Sequence, residues 1–498
     1  MNKFSVDFDN SGFMQNPKWK FKINENMPDR MNRSIPRNSS WQVYQASLQR
    51  ARTHRKLRKV LFKCSFLLIL LTLLVYGIAA SFSGTGYRNI FPGSKAESDI
   101  AALLPDKKNP LYSKNDVQAL LAGVDFLGLD RESFAIDVDG RILQVETSLH
   151  MPLQQYLMER LDKATSRDIG IVVMDPGTGR IHALAGFDKT GRNGNPCFDS
   201  RFPAASIFKI VTAVAGIEQC GFRTGSNFTF NGGKYTLYKS QLTDRTNRYT
   251  NRISLQNSFA QSVNPVFGKI GANYLGKENL EEYAEGFGFN RTIDFEAPLA
   301  SSHLNVTDKS YQWAEIACGF NRDTVMSPLH GALLSAAIVN EGGLVEPTMV
   351  NRITDASGNV LYRSEPKMIG YAATPKASQA VNHMMLATVR SGTSRKEFRG
   401  AKRDKILSRL DIGGKTGSIG SRKIAHVRYD WFVGFAKEKN GKEKLVVSVV
   451  VAHEKFIGKK AAYYARTAIK QYFRYYFDQN KVEMHTHNQI GKKKDKPA

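Results

Sequence analysis

Phe202-Pro-Ala-Ala-Ser-Ile-Phe-Lys-Ile-Val-Thr-Ala-Val-Ala-Gly216 is the stretch around which the 498-residue chain is organised. Beyond Pro203, the residues Ile207, Ile210, Val211, Val214 and Ile217 recur at three- and four-residue spacing, which predicts a helix with one face buried in a core. Ser206 is then expected in the first turn of that helix, with Lys209 beside it on the same face and its amine within reach of the hydroxyl. A serine hydroxyl is a poor nucleophile until a neighbouring base takes its proton. The free N–H groups and positive dipole end at a helix start also favour negative charge developing there. Alone the pair carries little weight, because Ser-x-x-Lys is short and a serine at a helix start is ordinarily a cap.

Ahead of this stretch, residues 1–63 hold about fourteen Lys and Arg against four Asp and Glu, without sustained periodicity. That predicts a basic, mostly disordered cytoplasmic tail. Residues 64–82 follow with no charge at all, enough for one bilayer-spanning helix. The basic run before them marks the cytoplasmic side. A cleavable signal peptide has a short basic region, unlike this long one, and a buried core helix is rarely apolar all round with charged flanks. The expectation is a single-pass protein of the cytoplasmic (inner) membrane, with everything after Phe82 periplasmic or otherwise extracytoplasmic. The formal net charge of +26 would by itself suggest a nucleic-acid partner, but a main body beyond the membrane excludes that role.

Residues 83–140 are too few for a second enzyme and read as a short linker or remnant pedestal, helical around residues 114–122. The main domain is placed at 141–477, followed by a basic tail at 478–498. Within it, residues 142–147 alternate like a strand, 151–161 have helical periodicity, and 169–175 with 180–185 read as a hairpin around Pro176-Gly-Thr-Gly179. Helical pattern returns at 253–260 and breaks at Gln261-Ser-Val-Asn-Pro265, a turn that would present Ser262 and Asn264 together with Val263 pointing away. Ser327-Pro-Leu329 opens a capped core helix, and 379–389 gives another. Leu410-Asp-Ile-Gly-Gly-Lys-Thr-Gly-Ser418 should form a strand before the hairpin 430–436 and 445–451, which turns at Asn440-Gly441. Its glycines Gly413, Gly414 and Gly417 leave the backbone bare for close approach. An amphipathic helix near 459–477 closes the domain. Cys64 lies in the span. Cys197 and Cys220 could pair in an oxidising compartment, leaving Cys318 odd, or all three could be buried small hydrophobes. No zinc-like Cys/His spacing and no phosphate loop is present, so no metal or cofactor is expected.

Three short motifs thus stand in order: Ser206-Ile-Phe-Lys209, Ser262-Val-Asn264 and Lys415-Thr-Gly417. The set Ser-x-x-Lys, Ser-x-Asn and Lys-Thr-Gly marks penicillin-binding proteins and serine β-lactamases. From about Arg141 to Phe477 the chain resembles a penicillin-binding protein transpeptidase domain, with residues 175–185, Ser327-Pro-Leu329 and Trp431-Phe-Val-Gly-Phe435 in support. The resemblance implies an α+β fold, an antiparallel sheet flanked by helices, with one N-terminal transmembrane helix. It implies that Ser206 attacks a D-alanyl-D-alanine stem peptide, that Lys209 accepts its proton, and that Ser262 passes the proton to the leaving D-alanine. Asn264 would hold the peptide, while Lys415, Thr416 and Ser418 would bind the terminal carboxylate beside Gly417. The backbone N–H groups of Ser206 and Ser418 would form the oxyanion hole.

Expected partners are then peptidoglycan stem peptides, β-lactams, the membrane, and a glycosyltransferase or other cell-wall synthesis protein. Departures exist too: the interval 83–140 cannot hold a glycosyltransferase domain, Ile316-Ala-Cys-Gly-Phe-Asn321 stands where the family often has a glycine-rich stretch, and Pro203-Ala-Ala-Ser206 replaces a more usual Pro-Gly-Ser. A β-lactamase would need deacylating machinery, and no Glu-x-x-Leu-Asn follows Asn264. A carboxypeptidase using water as acceptor, a β-lactamase, and a penicillin-binding sensor or scaffold without turnover remain as alternatives.

Overall fold

In the computed structural model, which describes residues 111–191 and 194–494, helix α1 (Lys114–Leu120) starts at a capping box in which Ser113 and Asp116 satisfy each other's backbone N–H groups. Strands β1 (Ser133–Val138) and β2 (Arg141–Thr147) form an antiparallel hairpin that turns through Asp139 and Gly140, both at positive φ. The far edge of β2 pairs with β10 (Val350–Thr354), which pairs in turn with β11 (Val360–Arg363). This small sheet straddles Arg141, so the packed unit takes in residues ahead of that position. The proposed tail and the span at 64–82 lie outside the described residues. Among those described, no helix is long and apolar enough to cross a membrane.

Helix α2 (Met151–Met158) leads into β3 (Ser166–Met174) and β4 (Ile181–Asp188). These two join β13 (Leu410–Gly420), β14 (Arg428–Glu438) and β15 (Lys444–His453) in a five-stranded antiparallel sheet, ordered β13-β14-β15-β3-β4. Strand period two sorts its side chains. Ile169, Ile171 and Val173 with Val447, Val449 and Val451 enter one core, which they share with α2 and α10 (Ala461–Lys494). Val172, Met174, Val446 and Val450 enter the other, shared with α3 (Lys209–Cys220) and α8 (Pro328–Val339). Each such buried valine contributes roughly 1.5–3 kcal/mol. Both faces are therefore covered, and every residue of α8 is buried, as its predominantly apolar sequence requires. The antiparallel sheet with helices on both faces is the architecture expected from the sequence.

Smaller pairings shape the region in front of the sheet. Strand β5 (Phe202–Pro203) pairs with β8 (Val325–Met326), β6 (Asn227–Phe230) with β7 (Asn251–Ser254), and β9 (Gly343–Val345) with β12 (Met368–Tyr371). Helices α4 (Leu255–Ala260), α5 (Asn264–Lys269), α6 (Gly276–Gly286), α7 (Ser310–Cys318) and α9 (Pro375–Arg390) complete the helical layer. Cys197, Cys220 and Cys318 are free thiols, Cys197 and Cys318 fully buried. Of the two fates open to the sequence, no disulfide forms here.

Candidate active site

The chain leaves β5 into a 3₁₀ turn, Ala205–Phe208, and only then enters α3. Ser206 therefore stands in the 3₁₀ turn, ahead of the α-helix in which the spacing places it, and its side chain caps nothing. The cause is Ala205 at φ 49, a left-handed residue from which a regular α-helix cannot start. A 3₁₀ turn has three residues per turn, so Ser206 and Lys209 stack more closely than in an α-helix. The turn is fixed from outside: Ala204 N–H donates to Thr324 O at 2.9 Å, and the buried Trp431 Nε1–H donates to Pro203 O at 2.8 Å.

Lys209 is fully buried, and its Nζ meets three oxygens: Ser206 Oγ at 2.8 Å, Asn264 Oδ1 at 2.8 Å, and the carbonyl of Cys318. Asn264 is oriented by its own Nδ2, which donates to Tyr235 O at 2.9 Å, so the oxygen faces the lysine. Two of the three partners, the amide oxygen and the carbonyl, can only accept. As an ammonium Lys209 donates to all three oxygens, and the Ser206 hydroxyl donates to Cys318 O at 3.4 Å; once neutral, the amine keeps two hydrogens for the two acceptors and can turn its lone pair to the Ser206 hydroxyl. Burial disfavours the ammonium and pushes Lys209 down to about 8. The geometry and the electrostatics thus both hold a base against the hydroxyl of Ser206.

Across the cleft, Ser262 (φ 56) and Asn264 flank the inward Val263, in the turn between α4 and α5. Ser262 and Asn264 both border the cavity, while Val263 is fully buried. Strand β13 brings Lys415 to the same place: its buried Nζ donates to Ser262 Oγ at 2.9 Å and to Thr416 O at 2.7 Å. Burial, and then the nearby Lys209 charge, hold Lys415 well below the ordinary lysine value. Two adjacent ammonium groups would repel, so the pair favours at least one neutral amine. Gly417 passes so near the active turn that a Cβ there would lie 3.3 Å from Ser206 N and 3.2 Å from Ala205 Cβ. This close approach puts β13 beside the Ser206 N–H, and Thr416 and Ser418 border the same cavity of about 660 Å³. The structure therefore gathers Ser206, Lys209, Ser262, Asn264, Lys415, Thr416, Gly417 and Ser418 around one cleft.

Several contributors carry no sequence motif. The carbonyls of Cys318 and Tyr235 orient the lysine and the asparagine. Gly319, at φ 70 after α7, lies where a Cβ would collide with the Ala205 carbonyl, so the tight passage behind Ser206 needs glycine. The glycine at the end of a helical pattern, within the departure at residues 316–321, is the one signal for it. Thr393 Oγ1 meets Thr416 Oγ1 at 2.5 Å, and Arg428 Nε donates to Ser418 Oγ at 2.9 Å. Among the described residues no cluster of His, Cys, Asp and Glu could hold a metal ion.

Residues 169–472 match the family described as penicillin binding protein transpeptidase domain. The chain is 21% identical over 409 residues to the peptidoglycan D,D-transpeptidase PbpA of Mycolicibacterium smegmatis, an overlap covering 73% of this chain and 79% of that protein. To penicillin-binding protein PbpB of the same organism it is 24% identical over 356 residues, 66% of this chain and 54% of the relative, so it spans about half of that longer protein. Among solved structures, the D,D-transpeptidase domain of a peptidoglycan glycosyltransferase from Eggerthella lenta aligns with a TM-score of 0.55 at 22% identity, covering 67% of this chain and 83% of that one. A ceftriaxone acyl-enzyme complex of penicillin-binding protein A from M. tuberculosis aligns at 0.51 and 19% identity, with 65% and 78% covered. At such identities the structural likeness speaks to the fold.

Proposed function

This chain belongs to the penicillin-binding protein transpeptidase family, and from that membership we propose that it is a membrane-anchored serine D,D-transpeptidase that cross-links peptidoglycan stem peptides. The observation that carries the proposal is the contact of the buried Lys209 Nζ with Ser206 Oγ at 2.8 Å, held there by Asn264 Oδ1 and the Cys318 carbonyl. With Lys209 near 8, about a tenth of it is neutral at pH 7, enough for a general base.

In the proposed reaction Lys209 takes the Ser206 proton as Oγ attacks the carbonyl of the penultimate D-alanine. The oxyanion is met by the Ser206 and Ser418 N–H groups, each such donor contributing roughly 3 kcal/mol in serine enzymes. Collapse breaks the peptide bond and transfers a proton through Ser262 to the leaving D-alanine, whose carboxylate is held by Lys415, Thr416 and Ser418. An amine of a second stem then attacks the ester, releasing Ser206 and forming the cross-link. β-Lactams acylate the same serine. The uncharged segment at 64–82 supports the anchor, with the catalytic domain beyond the cytoplasmic membrane.

The test is a purified chain given a donor pentapeptide ending in D-alanyl-D-alanine together with an amine acceptor. Cross-linked product that disappears in Ser206→Ala is expected. Release of D-alanine without cross-linking would redirect the reading to a carboxypeptidase, and acylation without turnover to a sensor.

A further inference from the structure

A separate concavity, of about 1240 Å³, lies between the end of α9, the first residues of β13 and the turn from β14 to β15. The segment joining α9 to β13 supplies most of its wall, and the run 390–405 holds seven Lys and Arg against Glu397 and Asp404. Phe398, 5% exposed, anchors that segment with its ring against Phe432, centroids 5.7 Å apart, and Leu407 is buried in the same core. Gly400, at φ 81, then leads into a 3₁₀ turn, Ala401–Arg403, none of whose residues is buried. The apolar anchors therefore face inward while the charges line the cavity.

These charges are not balanced within the fold. Among the described residues Asp411 alone brings a carboxylate to the cavity, and Arg390 already holds it at 3.3 Å. Asp404 turns away to Lys470 of α10 at 2.6 Å and to the N–H groups of Ile406 and Leu407, and Glu397 borders the cleft of Ser206 instead. Arg395, Lys396, Arg399, Lys402, Arg403 and Lys439 thus line the cavity with no ion-pair partner among the described residues. Like charges around one concavity repel and their fields add inside it, so an anion placed there relieves the repulsion. The floor between them is apolar, made by Phe398, Leu407, Leu410 and Ile412.

We propose that this cavity docks an acidic, amphipathic peptide segment of a partner protein. Arginine forks pair with carboxylates in two-point contacts, and the apolar floor takes aliphatic side chains interspersed among the acids. A polymer of phosphates alone offers nothing to that floor, and a flat bilayer surface does not enter a concavity. The docking cavity is separate from the cleft of Ser206 yet fastened to it. Thr393 N–H donates to Ala260 O at 3.0 Å at the end of α4, Thr393 Oγ1 meets Thr416 Oγ1, and Lys396 borders both cavities. A partner held here stands beside the reactive centre without using any of its groups.

The probe is a fluorescent peptide of about twelve residues repeating Leu-Glu-Glu, titrated by anisotropy against the purified full chain at about 0.05 M salt. Binding to the wild type is expected, and its absence overturns the proposal. The combined variant Arg395→Glu, Arg399→Glu, Lys402→Glu should weaken binding at least about tenfold. Arg131→Glu, Arg223→Glu, Lys376→Glu makes the same change in net charge at exposed sites outside the cavity, and should stay within about twofold. Equal losses in the two variants would reduce the effect to overall charge and overturn the site. Unchanged affinity after glycine replaces the leucines overturns the peptide as occupant. So does displacement of the peptide by polyphosphate or by phosphatidylglycerol vesicles that bind with the same dependence on the first variant. Thermal unfolding reports whether the first variant is folded. If it is not, Lys402→Glu alone, on the turn with no buried residue, should still weaken binding about threefold, and no change there overturns the proposal.

Discussion

Replacing Asn264 by aspartate puts a carboxylate where an amide oxygen now stands 2.8 Å from Lys209 Nζ. The side chain stays nearly isosteric, so the main change is electrostatic. Burial holds Lys209 down near 8 by penalising the ammonium, and an adjacent carboxylate stabilises that same ammonium. An opposite charge at this range raises such a lysine by about 1–3 units, or about 1.4–4 kcal/mol in favour of the charged form. The neutral fraction at pH 7, about one in ten in the wild type, then falls by about tenfold to a thousandfold. The assay is the second-order rate constant for acylation by a chromogenic β-lactam, followed across pH. In the wild type it should climb with pH and level off above about 8. In Asn264→Asp the climb should move upward by one to three units, and at high pH much of the rate should return. Loss of the Asn264 donation to Tyr235 O lowers the plateau but does not move the inflection. An unmoved inflection with a uniformly depressed rate would refute Lys209 as the base.

Other outcomes follow from the same contacts. Lys209→Met should abolish acylation, and its stability relative to the wild type should depend on pH: the wild type carries a burial penalty that is full below about 8 and gone above 10.5, so it should gain on the variant across that window in denaturant titrations. Gly319→Ala should cut acylation by about a hundredfold or more because its Cβ displaces the Ala205 carbonyl behind Ser206, whereas Gly358→Ala, also at positive φ but with open space around it, should lose only about 1 kcal/mol of stability and no activity. Glu296→Ala should destabilise the fold by about 3 kcal/mol in urea titrations, since the buried carboxylate accepts from Thr348 Oγ1, Met349 N–H and Tyr362 OH.

Much of this site is written in local sequence because its parts sit on regular elements. The apolar runs around the Asn440-Gly441 turn put the Lys-Thr-Gly run on the strand before that hairpin, and apolar spacing after Pro203 marks α3. The break before Pro265 marks the turn that presents Ser262 and Asn264, although the next helix starts at Asn264 itself with the proline in its first turn. What local pattern does not contain is geometry imposed from a distance. Helical spacing reads Ser206 as part of an α-helix, since nothing in the run Pro203-Ala-Ala-Ser206 announces that Ala205 is left-handed. That conformation belongs to the packing of Gly319 and Gly417 around it. The Cys318 carbonyl is equally silent, because any residue type supplies a carbonyl and only the fold brings this one to Lys209. The start at Arg141 fails to register the β1–β2 hairpin for a similar reason: its partner strand β10 lies some two hundred residues later.

The central claim is that Ser206, activated by a base one turn away, becomes covalently acylated by the substrate or a β-lactam. The most direct measurement is intact-protein and peptide mass spectrometry after brief exposure to penicillin G near pH 8. One adduct per chain is expected, on the peptide containing Ser206, and absent from both Ser206→Ala and Lys209→Met. An adduct on any other residue, or full labelling of Ser206 in Lys209→Met at the wild-type rate, would contradict it.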